Sequence, residues 1–510
     1  MNVICLLTDT FRRDHMGAYK RSDVKTPSLD AFANRSVVFE NSYMGSYPCM
    51  PARMDFLTGR FNFLWKGWSP LEYTDKDLVT MIRNHQKKTM LITDHFHLWH
   101  AGAGNYHYSY HGMEFIRGQE NDNWITDPDI DIRWPAPPEK LARNWVNYAK
   151  NTAHFKKEED YFTPDVFGKA IDWIDRNKNL DDFFLMIDCF DPHEPFDPPQ
   201  EYADMYNPGY EGDSVVWPSY GKADRFSEEE LKQIQSLYKG EITLVDKWFG
   251  KMIDKLESLN LLEDTMVIVT SDHGFLFGEH NWVGKHSKTL YNHITHTPLM
   301  IYHPNGKPGR NKELVQMADL YPTILDAFDI ELPEGIHGRS LLPYIIPKHG
   351  KEENRDYICY GVYGGAVYVT DGEWVYVKRP VNDGPLYWYT DSHYQIWDFG
   401  QNIDIDASRE LRQKFEQGRF PATFVREELN DAVYRSEEKL RERYQIKGGD
   451  ALTLKPVPDE LYNLVEDYEQ TTNLAEVHKE KAEEMKKYVI DFIEKINAPK
   501  EQLTRLGLEN

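Results

Sequence analysis

The chain has 510 residues, enough to bury an active site and more than one hydrophobic core usually holds, so a large domain with a smaller companion is expected. A formal charge of −24 argues against nucleic acid or an anionic membrane as a partner, and no apolar stretch approaches the length that spans a bilayer. The four cysteines, Cys5, Cys49, Cys189 and Cys359, are widely spaced without CxxC pairing, which excludes a disulfide scaffold and fits a reducing compartment.

The opening MNVICLLTDT runs straight into an apolar strand without a basic n-region, an h-region or a cleavage site, so the sequence predicts a cytoplasmic protein. Four short apolar runs then end in polar clusters. Val3–Leu7 ends in Thr8-Asp9, Thr89–Thr93 in Asp94-His95-Phe96-His97, Phe183–Ile187 in DCFDPHEP, and Met266–Thr270 in SDHG. Continuous apolar runs of this length read as buried parallel strands, and in open α/β sheets ligands bind beyond the carboxyl ends of such strands. The four clusters are therefore predicted to converge on one crevice.

Between the third and fourth runs, Leu231, Ile234, Tyr238, Val245, Phe249, Met252 and Leu256 recur at helical spacing, with Ser227 and Glu230 as a capping box. DLYPTILDAFDI (319–330) reads as another helix and LPEGIHGRSLLPYI (332–345) as the loop leaving it. After about residue 350, YICYGVYGGAVYVTDGEWVYVKR alternates β-formers around turn signals, the pattern of an antiparallel meander. Residues 400–450 read as helices and surface loops, and Ala482, Met485, Val489, Phe492 and Ile496 mark a final helix packed on the meander. The fold class is thus α/β: a large mixed, mostly parallel sheet sandwiched by helices over residues 1–350, and a C-terminal subdomain over 351–510 with a small antiparallel sheet and a terminal helix.

The clusters carry the chemistry. Asp272 and His273 follow one strand and Asp9 another, so loops can turn all three toward one cation; the carboxylates favour Ca2+ or a related hard ion such as Mg2+, while His273 leaves Mn2+ and Zn2+ open. Cys49 stands just before Pro51 at the start of a helical stretch, where backbone N–H groups favour an anion. A thiolate nucleophile of the cysteine phosphatase kind needs Cys-x5-Arg, and the residue six after Cys49 is Asp55, so that reading fails on spacing. A buried inert thiol is the remaining reading of the cysteine alone. Asp14 reads as a turn anchor held by an ion pair, and HYSYHGMEFIRGQENDNW (107–124) as a candidate sugar-facing loop.

Cys49-Met50-Pro51-Ala52-Arg53 followed by LTGR (57–60) resembles the Cys-x-Pro-x-Arg signature of the type I, formylglycine-dependent sulfatases of the alkaline phosphatase superfamily, with Ala52 where serine is commonest. LLTDTFRRDHMGAY, TPSLDAFA, DPHEPFDPP, VTSDHGFLFGEH, GKHSKTLYNHITHTPLMIY, GIHGRSLLPYI and ELYNLVEDYEQTTNLA extend the resemblance over nearly the whole chain. It implies that Cys49 is oxidised to formylglycine by a sulfatase-maturating enzyme and that the hydrated aldehyde is the nucleophile. It also implies that Asp9, Asp272, His273 and modified Cys49 hold the metal. Thr10 stands where many relatives have a second acidic or amide ligand, and is either a weak hydroxyl ligand or a bystander. Arg53 braces the nucleophile, and His97 matches a histidine that hydrogen-bonds it. His95 replaces the lysine usual two residues earlier and belongs to a polar substrate pocket. His193 matches a histidine near the leaving oxygen, and Lys285 a lysine that grips sulfate.

The expected activity is hydrolysis of a sulfate ester of a small sulfated sugar or oligosaccharide. Two rivals stand beside it: a phosphonate monoester or phosphodiester hydrolase of the same superfamily, and a catalytically silent binding protein with unmodified Cys49.

Overall fold

A computed structural model describes residues 1–509 apart from 20–22, 73–74, 100–103, 143–144, 287–288, 351–352, 382–385, 391–421, 426–432 and 438–456. The strands β1 (Asn2–Thr8), β2 (Val37–Tyr43), β3 (Ser46–Tyr47), β4 (Lys88–Thr93), β5 (Gly112–Phe115) and β6 (Phe183–Cys189) lead the chain into the two sheets that matter for the site. The larger sheet has eight strands, in the order Gly309–Gln316, β2, Leu299–Tyr302, Thr265–Ser271, β1, β6, β4, β5. Only Leu299–Tyr302 runs against the rest. The four apolar runs of the sequence are the four adjacent central strands, as their unbroken hydrophobicity requires of strands covered on both faces.

Alternate residues of β1 feed two cores. Ile4 and Leu6 pack with the long helix Glu228–Ser258 and the helix Phe162–Arg176 on one side. Val3, Cys5 and Leu7 pack on the other side with Met50, Met54, Phe56 and Leu57 of the helix Cys49–Thr58 and with Leu320, Tyr321, Ile324 and Leu325 of the helix Leu320–Ala327. Ser227 caps the long helix as the sequence predicts, its hydroxyl accepting from the Glu230 N–H while the Glu230 carboxylate accepts from the Ser227 N–H.

The smaller sheet has five strands, ordered Glu460–Asn463, Trp374–Lys378, Val367–Thr370, Ile358–Val362, β3. The first four form the predicted antiparallel meander. The fifth is only two residues long, comes from far upstream, and pairs parallel to Ile358–Val362 through Gly361 with Ser46 and Val362 with Tyr47. The terminal helix Lys479–Lys495 lays Met485, Val489, Phe492 and Ile493 against Val367, Val369 and Tyr376 of this sheet and against Phe61 and Phe63.

Two local expectations differ from the structure. Within 332–345, the end is a single helical turn, Leu342–Ile345, because Leu342 and Ile345 drop into the core beside the helix Leu320–Ala327. Within 400–450, the described residues are Ala422–Val425 and Val433–Glu437, which are antiparallel strands joined to Tyr387–Thr390 rather than helices; the rest of that stretch lies outside the described residues. Among the described residues no helix is long and apolar enough to cross a membrane.

Candidate active site

The register of the large sheet builds the crevice. Thr8 pairs with Ser271 on one side and Cys189 on the other, and Thr93 pairs with Asp188, so the carboxyl ends of the four central strands stand nearly level. Asp9 and Asp272, each the next residue after its strand, are therefore set side by side with the sheet spacing of about 5 Å between their chains. Thr10 then turns away through a left-handed backbone at φ 61°, a conformation that costs a β-branched residue roughly 1–3 kcal/mol. The turn directs the Thr10 N–H to Asp272 Oδ1 (2.9 Å) and its hydroxyl to Asp9 Oδ1 (2.6 Å). Thr10 thus fixes both carboxylates with its own donors.

Cys49 opens the helix Cys49–Thr58, every residue of which is buried. Asp55 holds the start of this helix: its carboxylate accepts from the Ser46 N–H (2.6 Å) and hydroxyl (2.7 Å) and from the Asn62 backbone and side-chain amides (both 3.0 Å). The residue that broke the phosphatase spacing is a scaffold. From this anchor Cys49 Sγ lies 3.1 Å from His273 Nε2, 3.9 Å from Asp9 Oδ1 and 3.8 Å from Lys285 Nζ. Burial, reinforced by Asp9, pushes the thiol well above its ordinary pKa in spite of the helix start.

Arg53, one helical turn further on, points at three buried carboxylates. It forks onto Asp188 (2.8 and 2.6 Å), and its remaining nitrogen reaches Asp272 (2.7 Å) and Asp9 (3.1 Å). Asp188 is a site residue that the sequence reading missed: it is the sixth residue of β6 and interrupts an apolar strand, which demands a buried cation nearby.

The histidines divide into two ranks. His273 donates through Nδ1 to the Gly274 carbonyl (3.1 Å), leaving the Nε2 lone pair facing Cys49; burial holds its pKa at about 3, so the ring is neutral. His95 Nε2 meets Asp9 Oδ2 at 3.2 Å, and burial together with Arg53 holds it at about 4. His193 lies 3.9 Å from Asp9 through Nε2, which also contacts Lys285 Nζ, while its Nδ1 donates to the Glu194 carbonyl. His97 stands one layer out, with Nε2 3.2 Å from Glu120 and its ring 5.3 Å from that of His95. Asp14 pairs with Arg12 at 2.6 Å, the predicted turn anchor.

Asp9, Cys49, Asp272 and His273 each present one ligand-capable atom, and these four atoms all lie within 4.8 Å of one another. The two carboxylates are driven apart electrostatically. Burial opposes ionisation of both, but His193 and Arg53 pull Asp9 well down, while burial and Asp9 push Asp272 well up. Two adjacent buried carboxylates, beside a neutral imidazole with its lone pair turned inward, fit a divalent metal ion.

A family model described as Sulfatase matches residues 1–330, well over half of the chain. The chain belongs to the sulfatase family. Within the alkaline phosphatase superfamily, this sulfatase is 26% identical over 399 residues to an arylsulfatase of Clostridium perfringens, covering 70% of this chain and 80% of that one. In fold it is similar to the phosphonate monoester hydrolase of Agrobacterium radiobacter, at 20% identity and TM-score 0.61 over 98% and 95% of the two chains. It is equally similar to BT4656, solved with its substrate D-glucosamine-2-N,6-O-disulfate, at 16% identity and TM-score 0.62 over 98% and 99%.

Proposed function

We propose that this sulfatase hydrolyses the sulfate ester of a sulfated sugar through a formylglycine hydrate made from Cys49. The observation that carries the reading is the position of Cys49, its Sγ standing in for the reactive oxygens within reach of both the carboxylate-histidine set and Lys285. Asp9, Asp272, His273 and modified residue 49 are the residues that would hold the metal, Ca2+ by the predominance of carboxylate oxygen, with Mn2+, Mg2+ and Zn2+ as the alternatives. The ion would supply a Lewis acid that sharpens the nucleophile and neutralises sulfate charge.

The side chains then have distinct tasks. Arg53 holds Asp9 and Asp272 in place from below, while Lys285 brings the nearest mobile positive charge to the sulfate oxygens. One hydroxyl of the hydrate gives its proton to Asp9, whose Oδ1 lies 3.9 Å from Cys49 Sγ, and attacks sulfur; the S–O bond to the sugar breaks, and the leaving oxygen takes the proton held between Lys285 Nζ and His193 Nε2. The second hydroxyl then returns a proton to the Lys285–His193 pair, the C–O bond to sulfate breaks, and the aldehyde returns for rehydration by water. An ordinary serine lacks that second hydroxyl. His95 orients Asp9 by its 3.2 Å contact, and His97 positions Glu120 at the rim.

The test is a comparison of enzyme with oxidised and unoxidised residue 49, quantified by peptide mass spectrometry, on sulfate and phosphonate monoesters. Sulfate release proportional to the oxidised fraction is expected. Faster turnover of phosphonate monoesters would establish the second reading, which the full-length likeness to a phosphonate monoester hydrolase favours. Protein from the native host that binds sulfated sugars while residue 49 carries only thiol would leave the silent binding protein.

A further inference from the structure

Beside the crevice lies a second acidic group whose two carboxylates take part in no step of the chemistry above. Glu120, His193 and Glu194 are buried, with one ligand-capable atom of each within 4.8 Å of the others. Glu120 belongs to the segment 107–124 and approaches His97 (3.2 Å) and His193 Nδ1 (3.8 Å). Glu194 Oε1 accepts from the Tyr220 hydroxyl and lies 3.8 Å from Lys285 Nζ. Its Oε2 has no hydrogen-bond partner, although the residue is only 1% exposed. That oxygen sits 3.5 Å from His193 Nδ1, whose proton is already given to the Glu194 carbonyl. A buried acceptor without a donor costs about 1–3 kcal/mol, which a donor arriving on a substrate relieves.

Tyr220 adds the second observation. Its hydroxyl is buried on Glu194, but 43% of the residue is exposed. The ring lies over Gly284 so closely that a Cβ there would meet it at 2.5 Å, and Phe275 supports it edge-on at 5.9 Å. A half-exposed aromatic side chain thus rests by its hydroxyl on the carboxylate that holds the unsatisfied oxygen.

We propose that Glu194, with Glu120 beside it, accepts a hydrogen bond from a hydroxyl or ammonium substituent of the sulfated sugar, whose ring lies on Tyr220. This rests on the sulfatase reading and deepens it. In their ionised form the same two carboxylates repel an anionic substituent, so the site selects neutral or amino sugars carrying one sulfate and disfavours uronates and rings with a second sulfate at that position.

The experiment uses enzyme with oxidised residue 49 and a set of monosulfated hexosides and hexosaminides, with 4-methylumbelliferyl sulfate as a reference. For the isomer hydrolysed fastest, each remaining hydroxyl is replaced in turn by hydrogen, and the uronate and disulfated counterparts are added. One deoxy analogue should lose roughly 100-fold or more in kcat/KM, because a site built to bind a donor rejects its absence. In Glu194→Gln that loss should shrink below about 10-fold, the coupling expected of groups in contact. The uronate or disulfated analogue should be hydrolysed more slowly than the parent. Full rates for every deoxy analogue, or a uronate or disulfated analogue matching the parent, would overturn the proposal while sulfate release preserved the sulfatase reading. No sulfate release from any substrate, the reference included, would overturn both. The substrate comparison on the unaltered enzyme needs no variant to fold.

Discussion

Arg53→Met tests whether the arginine is a structural counter-charge for the whole acidic floor. The guanidinium is 2% exposed and meets Asp188, Asp272 and Asp9 at 2.6–3.1 Å. Removing one partner of a buried ion pair costs about 3–5 kcal/mol, because the other charge is left uncompensated. Three carboxylates do not triple that figure. Asp272 is already pushed toward its protonated form by burial and Asp9, so the loss falls chiefly on Asp188 and Asp9 and should stay within that range. Arg53→Lys keeps the charge but cannot fork onto Asp188 while touching Asp272, and should cost about 2 kcal/mol, on the scale of a lost charge-assisted hydrogen bond. Urea unfolding followed by tryptophan fluorescence, with a chelator present so that no cation masks the effect, reads both values. If Arg53→Met unfolds within about 1 kcal/mol of the unaltered protein, a typical single-mutation effect, the counter-charge argument is wrong.

Three further outcomes are expected. Cys49→Ala should abolish turnover while its unfolding curve overlays that of the parent, and Lys285→Ala should lose about 100- to 1000-fold in kcat, checked on an aryl sulfate. Chelation should silence the enzyme and Ca2+ should restore it, with Asp272→Asn raising the concentration needed, followed by activity against free metal. In the third, Arg12 outweighs burial and holds Glu279 at about 2, below its ordinary 4.5. A depressed carboxylate adds stability that is complete above the unfolded value and vanishes as pH falls through the folded one. Glu279→Gln should therefore remove up to roughly 3 kcal/mol at pH 6 and nothing near pH 2, measured by urea unfolding across that range.

The central strands and their polar tips were legible because a strand buried on both faces must be apolar throughout and must stop being so where it meets solvent or a site. What single runs could not reveal was the alignment of those tips, which depends on pairings such as Thr8 with Ser271 between distant segments. Asp188 was visible as an anomaly in FFLMIDC, but its partner Arg53 becomes evident only when the helix Cys49–Thr58 is laid across the strand ends. Glu120 and Glu194 sit in loops whose sequence carries no periodic signal. The two residues of β3 are too few to show any alternation, so their membership of the distant meander could not be read at all.

That short strand has a consequence for how the protein is made. Ser46 and Tyr47 are clasped by Gly361 and Val362, and Cys49, two residues on, ends up 3% exposed. The segment that leads into Cys49 therefore gains this sheet partner only after the distal meander has been synthesised.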